Sequence, residues 1–242
     1  MHMTTEQKWI IGDCIELMGS LNNIQMIVTS PPYFNSAKKY QRGTGVHYSK
    51  DVGEPLYLTV EMMEKAYPII KQDGFVFLNL GFSYAETGVL RPFYIVQEIQ
   101  KRTNWFCVDT IIWHKNNPIP IKERLTNAFE YIFVFAKHPI SAYKKKITYE
   151  HNVWDFPVQR GNGHSAVFPL ELPKKCIELG SLCGDFVLDP FAGSGTTLKA
   201  CEILDRNGIG IDINPNYEYV AKKRLQTDNQ KLEDWCSIKE SA

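Results

Sequence analysis

The chain has 242 residues, 44% of them hydrophobic and 22% charged, which suits one large folded domain. Lys+Arg and Asp+Glu both number 27, so a strongly basic chain is excluded and any contact with nucleic acid needs a local basic surface. Six cysteines form no C-x-x-C motif and no zinc-type spacing with histidine, which indicates reduced core thiols, and no metal site is implied. No signal peptide or membrane-length apolar run is visible, so a cytoplasmic protein is expected.

The chain begins with a predicted strand over Lys8 to Asp13 and a predicted helix over Cys14 to Leu21. Asp13 stands at their junction. An acid in this position either caps the helix or accepts hydrogen bonds from a ligand amine, and the residues alone favour the cap.

The next strand ends in a motif that carries chemistry. The apolar run from Ile24 to Val28 predicts a buried strand, and Ser30-Pro31-Pro32-Tyr33 follows it. A Pro-Pro pair cannot continue a sheet, so a hydroxyl, a stiff carbonyl and an aromatic ring stand at the strand's carboxyl end. Such a set can hold a planar group that carries an amine. A proline-rich strand exit with a packing tyrosine is an equally supported interpretation of the motif alone.

The middle of the chain alternates between regular elements and polar segments. Residues 34–55 lack an apolar period, which predicts a long mobile loop. Regular elements are predicted as a helix over Leu56 to Gln72, a strand over Gly74 to Leu80, a helix over Arg91 to Arg102, and strands over Phe106 to Trp113 and Glu130 to Ala136.

Lys137 to Gly163 breaks this pattern and is too short for a separate domain. Its lysine run, Lys144 to Lys146, has an ordinary explanation as a solvated face. Aromatic residues and the turn that begins at Arg160 interleave with the lysines, which favours an insert that faces nucleic acid.

The last third predicts a βαβα unit. Its elements are a helix over Leu170 to Leu182, a strand over Phe186 to Asp189, a helix ending near Arg206, a strand over Gly208 to Asp212, and a helix from Pro215 to about Gln226.

A glycine-rich turn, Asp189 to Thr197, joins the first strand of this unit to a helix. Glycines let a ligand approach the backbone, and the helix start offers N–H groups to an anion. The turn lacks the lysine of a P-loop, and Asp212 follows at about the 20-residue distance of a ribose-binding acid. A nucleoside with a carboxylate, such as S-adenosylmethionine, fits this pattern; the alternative is a tight turn with a surface acid.

Together the two motifs resemble the amino-methylating DNA methyltransferases, which modify N4 of cytosine or N6 of adenine. The family's catalytic motif [DNS]-P-P-[YFW] is matched from Ser30 to Tyr33, and its D-P-F-x-G-S-G-T-T motif is matched from Asp189 to Thr197. The catalytic motif comes first, as in the permuted β group. The resemblance implies one α/β domain over residues 1–242, with a Rossmann-like, mostly parallel seven-stranded sheet in the order 3-2-1-4-5-7-6, one antiparallel strand and helices on both faces.

The resemblance also implies the cofactor and its contacts. S-adenosylmethionine would be held by the glycine-rich turn, with Asp212 on its ribose and Asp13-Cys14 on its adenine, which overturns the preference for Asp13 as a cap. A short motif ahead of the cofactor strand adds His164 and Phe168. The cofactor residues so assigned are Asp13, Cys14, His164, Phe168, Asp189, Phe191, Ala192, Gly193, Ser194, Gly195, Thr196, Thr197 and Asp212.

The resemblance further implies that the partner is DNA with its target base flipped out. Ser30 and the Pro31 carbonyl would hold the amine while the base stacks on Tyr33. The segment from Trp113 to Ile132 is similar to the one that lies behind the flipped base in the family. The basic residues assigned to DNA are Lys38, Lys39, Lys115, Arg124, Lys144, Lys145, Lys146 and Arg160.

The expected activity is therefore site-specific methylation of cytosine N4 in DNA, in a prokaryotic cell or a phage. Ser30 favours cytosine, because adenine-modifying relatives usually carry Asp there. The alternatives are an adenine-N6 enzyme, an inactive DNA-binding subunit, and an N-methyltransferase acting on protein or RNA, against which the motif order argues. A cognate restriction endonuclease and a second copy of the chain are candidate partners.

Overall fold

One sheet of eight strands organises the computed structural model, which describes residues 5–32, 54–82, 88–145, 150–158 and 168–225. The strands are β1 (Gln7–Ile11), β2 (Ile24–Thr29), β3 (Ile70–Leu80), β4 (Phe106–His114), β5 (Phe129–Ala136), β6 (Val153–Asp155), β7 (Phe186–Asp189) and β8 (Asn207–Asp212). The helices are α1 (Cys14–Leu17, continued by a 3-10 turn at Met18–Ser20), α2 (Glu54–Ile69), α3 (Arg91–Arg102), α4 (Glu171–Gly180), α5 (Thr196–Ile203) and α6 (216–225).

The strands lie in the order β1-β8-β7-β2-β3-β5-β4-β6, and among them β5 runs antiparallel to its neighbours β3 and β4. With β7 counted as the first strand of the family's numbering, the first seven positions read 3-2-1-4-5-7-6, as expected. The predicted mostly parallel α/β fold is confirmed. The sheet has eight strands where seven were expected. The additional strand is β6, which pairs with the outer side of β4, where Val153 lies opposite Ile112.

Helices cover both faces of the sheet, and the side chains of β3 show why. Val76 and Leu78 point into a core shared with α2 and α3, while Phe75 and Phe77 point into a second core shared with α4. Successive residues of a strand face opposite sides, so a strand that is apolar at every position needs cover on both. No helix in the described ranges is long and apolar enough to cross a membrane.

The junction of α2 and β3 differs from the prediction. The helix was expected to run to Gln72, but it ends at Ile69, and Ile70 already pairs with Ile24 of β2. Pro68 lies in the last helical turn, where its ring disfavours the preceding turn and it cannot donate a hydrogen bond. The helix begins at Glu54, two residues before the predicted start at Leu56, so residues 54 and 55 of the predicted loop are helical. The rest of that loop, residues 34–53, lies outside the described ranges.

The predicted insert at 137–163 is partly built into the domain. Tyr143 stacks on Phe75 with 5.3 Å between ring centroids, and its hydroxyl donates to Asp109 Oδ2 at 2.9 Å. The buried side chain of Trp154 brings β6 onto the sheet. These contacts make the described parts of the segment, 137–145 and 150–158, part of the domain core.

Candidate active site

The two motifs meet at the carboxyl edge of the sheet, the edge where the parallel strands β1, β2, β3, β4, β7 and β8 end. Strands β2 and β7 are neighbours there, with Ile27 opposite Leu188. Thr29 Oγ1 donates to Asp189 Oδ1 at 2.7 Å, and Ser30 is the next residue. The Ser-Pro-Pro segment therefore begins directly beside the glycine-rich turn.

Asp189 lies beneath that turn. It is 1% exposed and accepts three hydrogen bonds, from Thr29, from the Thr197 hydroxyl at 2.6 Å and from the Phe191 N–H at 3.1 Å. Burial raises the pKa of its carboxyl to about 6. Because its donors belong to the protein itself, the geometry favours a bracing role for Asp189 over the predicted contact with a ligand.

The turn above Asp189 is shaped by two glycines, Gly193 and Gly195, with φ of +48° and +76°. Both conformations lie in the left-handed region that glycine adopts without strain. The Gly193 N–H donates to Asp212 Oδ2 at 2.8 Å, and Trp9 Nε1–H donates to the Gly193 carbonyl at 3.2 Å. A Cβ built on Gly193 would meet no atom within 4 Å among the described residues beyond its two chain neighbours, so this face of the turn is open to a ligand.

Asp212 ends β8 next to the turn. It is 5% exposed, and its two carboxylate oxygens accept from the backbone N–H groups of Gly193 and Asn214, both at 2.8 Å. Burial raises the pKa of this carboxyl. An ionised carboxylate has about four acceptor positions, so these two bonds leave capacity for a ribose diol. With the open glycine turn beside it, the donor set fits a nucleoside cofactor.

Asp13 caps α1. Its Oδ1 accepts from the Ile15 N–H at 2.9 Å, which is the role that the residues alone favour. The Gly12 N–H donates to the Asp212 carbonyl at 3.0 Å, so Asp13 lies close to Asp212. Cys14 is buried in the core, and contact of this pair with an adenine remains a prediction.

The predicted cofactor set also includes further residues of the turn itself and Phe168 ahead of it. Ala192, Ser194 and Thr196 are buried, while Phe191 and Phe168 are half-buried and pack against the two cores. Arg224 of α6 donates to the Thr196 hydroxyl and so ties α6 to the start of α5. Neither Trp9 nor Arg224 was singled out in the sequence, because a single aromatic or basic residue far from the motif carries no signal of its own.

A polar chain lies on the other side of Ser30. Asn79 Nδ2 is 3.5 Å from Ser30 Oγ and donates to Glu130 Oε2 at 2.8 Å. Lys115 Nζ lies 2.8 Å from Glu130 Oε1, with both side chains largely buried. Lys115 was predicted to bind DNA, and this pairing favours a structural role instead. Asn79 was missed, although one amide in the otherwise apolar Gly74–Leu80 run was a usable signal.

Within the described ranges, the basic residues predicted to bind DNA do not lie together. Lys144 forms an ion pair with Asp73, and Lys145 lies 3.3 Å from Glu150 and 3.6 Å from Glu178. Since Asp73 lies near the amino end of β3, Lys144 and Lys145 lie at the amino edge of the sheet, opposite Ser30. That position argues against their contact with DNA around a base at Ser30.

Arg124 is exposed in the connection from β4 to β5, which lies on the carboxyl edge. Six predicted site residues lie outside the described ranges: Tyr33, Lys38, Lys39, Lys146, Arg160 and His164.

Comparison with known proteins matches this geometry to one family. A family model for N6/N4 methyltransferases, described as DNA methylase, matches residues 24–223. Type II methyltransferase M.SmaI of Serratia marcescens is 29% identical over 90% of each chain, and M.HpaI of Haemophilus parainfluenzae is 29% identical over 92% of this chain and 75% of its own.

Solved structures share the fold. The PvuII DNA methyltransferase (cytosine-N4-specific) superposes with a TM-score of 0.79 at 22% identity, over 96% of this chain and 92% of its own. A DNA modification methylase of Thermus thermophilus, described as putative and complexed with S-adenosyl-L-methionine, gives a TM-score of 0.66 at 26% identity, over 91% and 94%. The Ser-Pro-Pro-Tyr motif, the glycine-rich turn and the match over residues 24–223 together make this chain a member of the N6/N4 DNA methylase family.

Proposed function

We propose that the chain is a cytosine-N4-specific DNA methyltransferase that acts on a base flipped out of the duplex. The observation that carries the proposal is the position of Ser30, a neutral hydroxyl one residue beyond the Thr29–Asp189 hydrogen bond and beside the glycine-rich turn. Methylation of a DNA amine follows from the family. The choice of cytosine rests on serine at a motif position where adenine-modifying relatives usually carry Asp.

The chain's own residues would act by holding the amine. The lone pair of the cytosine amine is delocalised into the ring, which makes it a poor nucleophile. Hydrogen bonds from its two N–H groups to Ser30 Oγ and the Pro31 carbonyl would localise that pair in one direction. Catalysis is then a matter of position and preorganised dipoles, with no covalent intermediate on the protein. Stacking on Tyr33 would keep the base in place.

The methyl donor of this family is S-adenosylmethionine, which when bound supplies a methyl group on a sulfonium for in-line attack. The turn from Phe191 to Thr197 would hold its methionine part, and Asp212 would accept hydrogen bonds from its ribose. The relatives are named Type II methyltransferases, which supports proposing a paired restriction endonuclease for this chain. A homodimer stays a prediction.

The test is the identity of the methylated nucleoside. DNA methylated in vitro with labelled S-adenosylmethionine is digested, and its nucleosides are separated and weighed against both standards. We expect N4-methyldeoxycytidine. A mass matching N6-methyldeoxyadenosine would overturn the choice of base and leave the family activity standing, whereas no transfer to DNA would contradict the proposed function as a whole.

A further inference from the structure

The β2–β7 pair lies at the centre of the site, and its backbone ladder stops short of the chemistry. The backbone pairing of these strands ends at Ile27 and Leu188. On its other side, β2 remains paired with β3 as far as Thr29, which lies opposite Leu78. Ser30 thus follows a residue that the backbone ladder holds from the β3 side.

A side-chain bridge takes over on the β7 side. Thr29 Oγ1 donates to Asp189 Oδ1 at 2.7 Å, and Thr197 Oγ1 donates to Asp189 Oδ2 at 2.6 Å. The three residues come from the end of β2, the end of β7 and the first turn of α5. The Phe191 N–H, inside the glycine-rich turn, donates to the same oxygen as Thr29 at 3.1 Å.

The bridge is buried and centres on a carboxylate, which restricts its geometry. Thr29, Asp189 and Thr197 are each 1% exposed. Hydrogen bonds to an ionised acceptor are short and stronger than neutral ones, and a low local dielectric strengthens them further. Few other arrangements satisfy a buried carboxylate, so the distance between the end of β2 and the start of α5 is well defined.

We infer that Thr29 and Asp189 are positioning residues that set the distance between Ser30 and the glycine-rich turn. The inference rests on the proposed function and holds for either target base, because each carries its amine to Ser30. The Asp189 carboxylate joins Thr29, the residue before Ser30, to the glycine-rich turn, which is expected to hold the methyl donor. A shift at one end of this bridge therefore displaces the other.

The test uses isosteric variants of the full chain. Thr29→Val removes the donor hydroxyl and keeps the volume, and Thr29→Ser keeps the hydroxyl. Thr59→Val, at an equally buried threonine in α2, is the matched control. For each folded variant we would measure the single-turnover rate of methyl transfer to DNA, the KM for DNA and the affinity for S-adenosylmethionine by calorimetry.

We expect Thr29→Val to lower the single-turnover rate by about 10- to 100-fold, the scale of an ångström-sized misplacement, with KM and cofactor affinity changed less than about twofold. Thr29→Ser should recover most of the rate, and Thr59→Val should match the wild type. Thr197→Val cuts the bridge at its other end and should also lower the rate.

Equal rates for Thr29→Val, Thr59→Val and the wild type would overturn the inference. A folded Thr29→Ser as slow as Thr29→Val would overturn it too, as would failure of both Thr29→Val and Thr197→Val to fold, since the bridge would then be purely structural. A wild type that transfers no methyl group to DNA is a different result, which removes the proposed function on which the inference depends.

Discussion

At the scale of single residues, the buried Asp189 gives the protein a measurable pH dependence. Its folded-state pKa is raised from 3.8 to about 6, because burial disfavours the charged form. The folded protein therefore holds this proton more tightly than the unfolded chain between about pH 4 and 6. The contribution of Asp189 to stability is smallest above pH 6 and grows as the pH falls toward 4.

The variant Asp189→Asn isolates this effect. Each pKa unit corresponds to about 1.4 kcal/mol, so lowering the pH from 7.5 to 4.5 should raise the unfolding free energy of the wild type, relative to the variant, by about 2 kcal/mol. Urea unfolding of both proteins at the two pH values measures the difference. A constant difference would show that Asp189 does not titrate in this range.

Asp212 gives a second prediction at this scale. Asp212→Ala removes a charged acceptor, so the affinity for S-adenosylmethionine should fall by about 1.5–3 kcal/mol, as for hydrogen bonds to charged groups. Calorimetry on the folded variant measures it. The control is Asp73→Ala, an exposed acid at the amino edge, which should bind like the wild type. Unchanged affinity in Asp212→Ala would remove this residue from the site.

At the scale of elements, the two glycines of the glycine-rich turn allow its contribution to stability to be measured apart from its contribution to cofactor binding. A Cβ at Gly195 would lie 3.0 Å from Ala221 Cβ of α6, whereas a Cβ at Gly193 meets open space. The left-handed conformation alone destabilises alanine by about 1–2 kcal/mol.

Gly195→Ala should therefore unfold more easily than Gly193→Ala, because it adds a contact with α6 to the same backbone strain. Gly193→Ala should instead lose more cofactor affinity, because its methyl group occupies the open face of the turn. Urea unfolding and calorimetry on both variants test the pair. If Gly193→Ala proved less stable than Gly195→Ala, α6 would have to shift away from the added methyl group at little energetic cost.

The elements also show how far the sequence could be interpreted alone. Helix α3 and strand β7 were predicted with the bounds that the structure has, because Arg91 to Arg102 and Phe186 to Asp189 are bordered by clear turn residues. The edge strand β6 was missed, because three residues are too few for a periodic pattern, and Trp154 buries itself only through tertiary contact with β4.

The site divides in the same way. The carboxyl-edge positions of Ser30 and Asp212 follow from where their strands end. The inward direction of Asp189 does not, because it depends on hydroxyl donors from β2 and α5, and Thr29 lies 160 positions away in sequence. A lysine run such as Lys144 to Lys146 gives charge but no location, and its pairing with Asp73 depends on the folded sheet.

At the scale of the whole molecule, the balanced charge predicts modest affinity for DNA, set by the carboxyl edge. Replacing Lys144 and Lys145 together by alanine should leave the salt dependence of DNA binding unchanged, because both lie at the opposite edge in ion pairs. Arg124→Ala should reduce the slope of log K against log salt by about 0.9, the value for one phosphate contact. Fluorescence anisotropy over a salt series measures both, and a reduced slope for the double variant would place DNA at the amino edge.

The strand order has a further consequence, for how the chain folds during its synthesis. The centre of the sheet joins Met26 to Val187, and its β1 edge joins Gln7 to Gly208. Strand β2 is synthesised early, yet its neighbour β7 leaves the ribosome much later. Strand β1 must wait longer still, because its partner β8 is the last of the eight strands to be synthesised. Contacts so distant in sequence slow folding, because the entropy of the intervening chain is lost before the contact begins to stabilise the fold. Nascent chains that end before Asp189 should therefore remain sensitive to protease around β1 and β2, and protection should come late, with the glycine-rich turn.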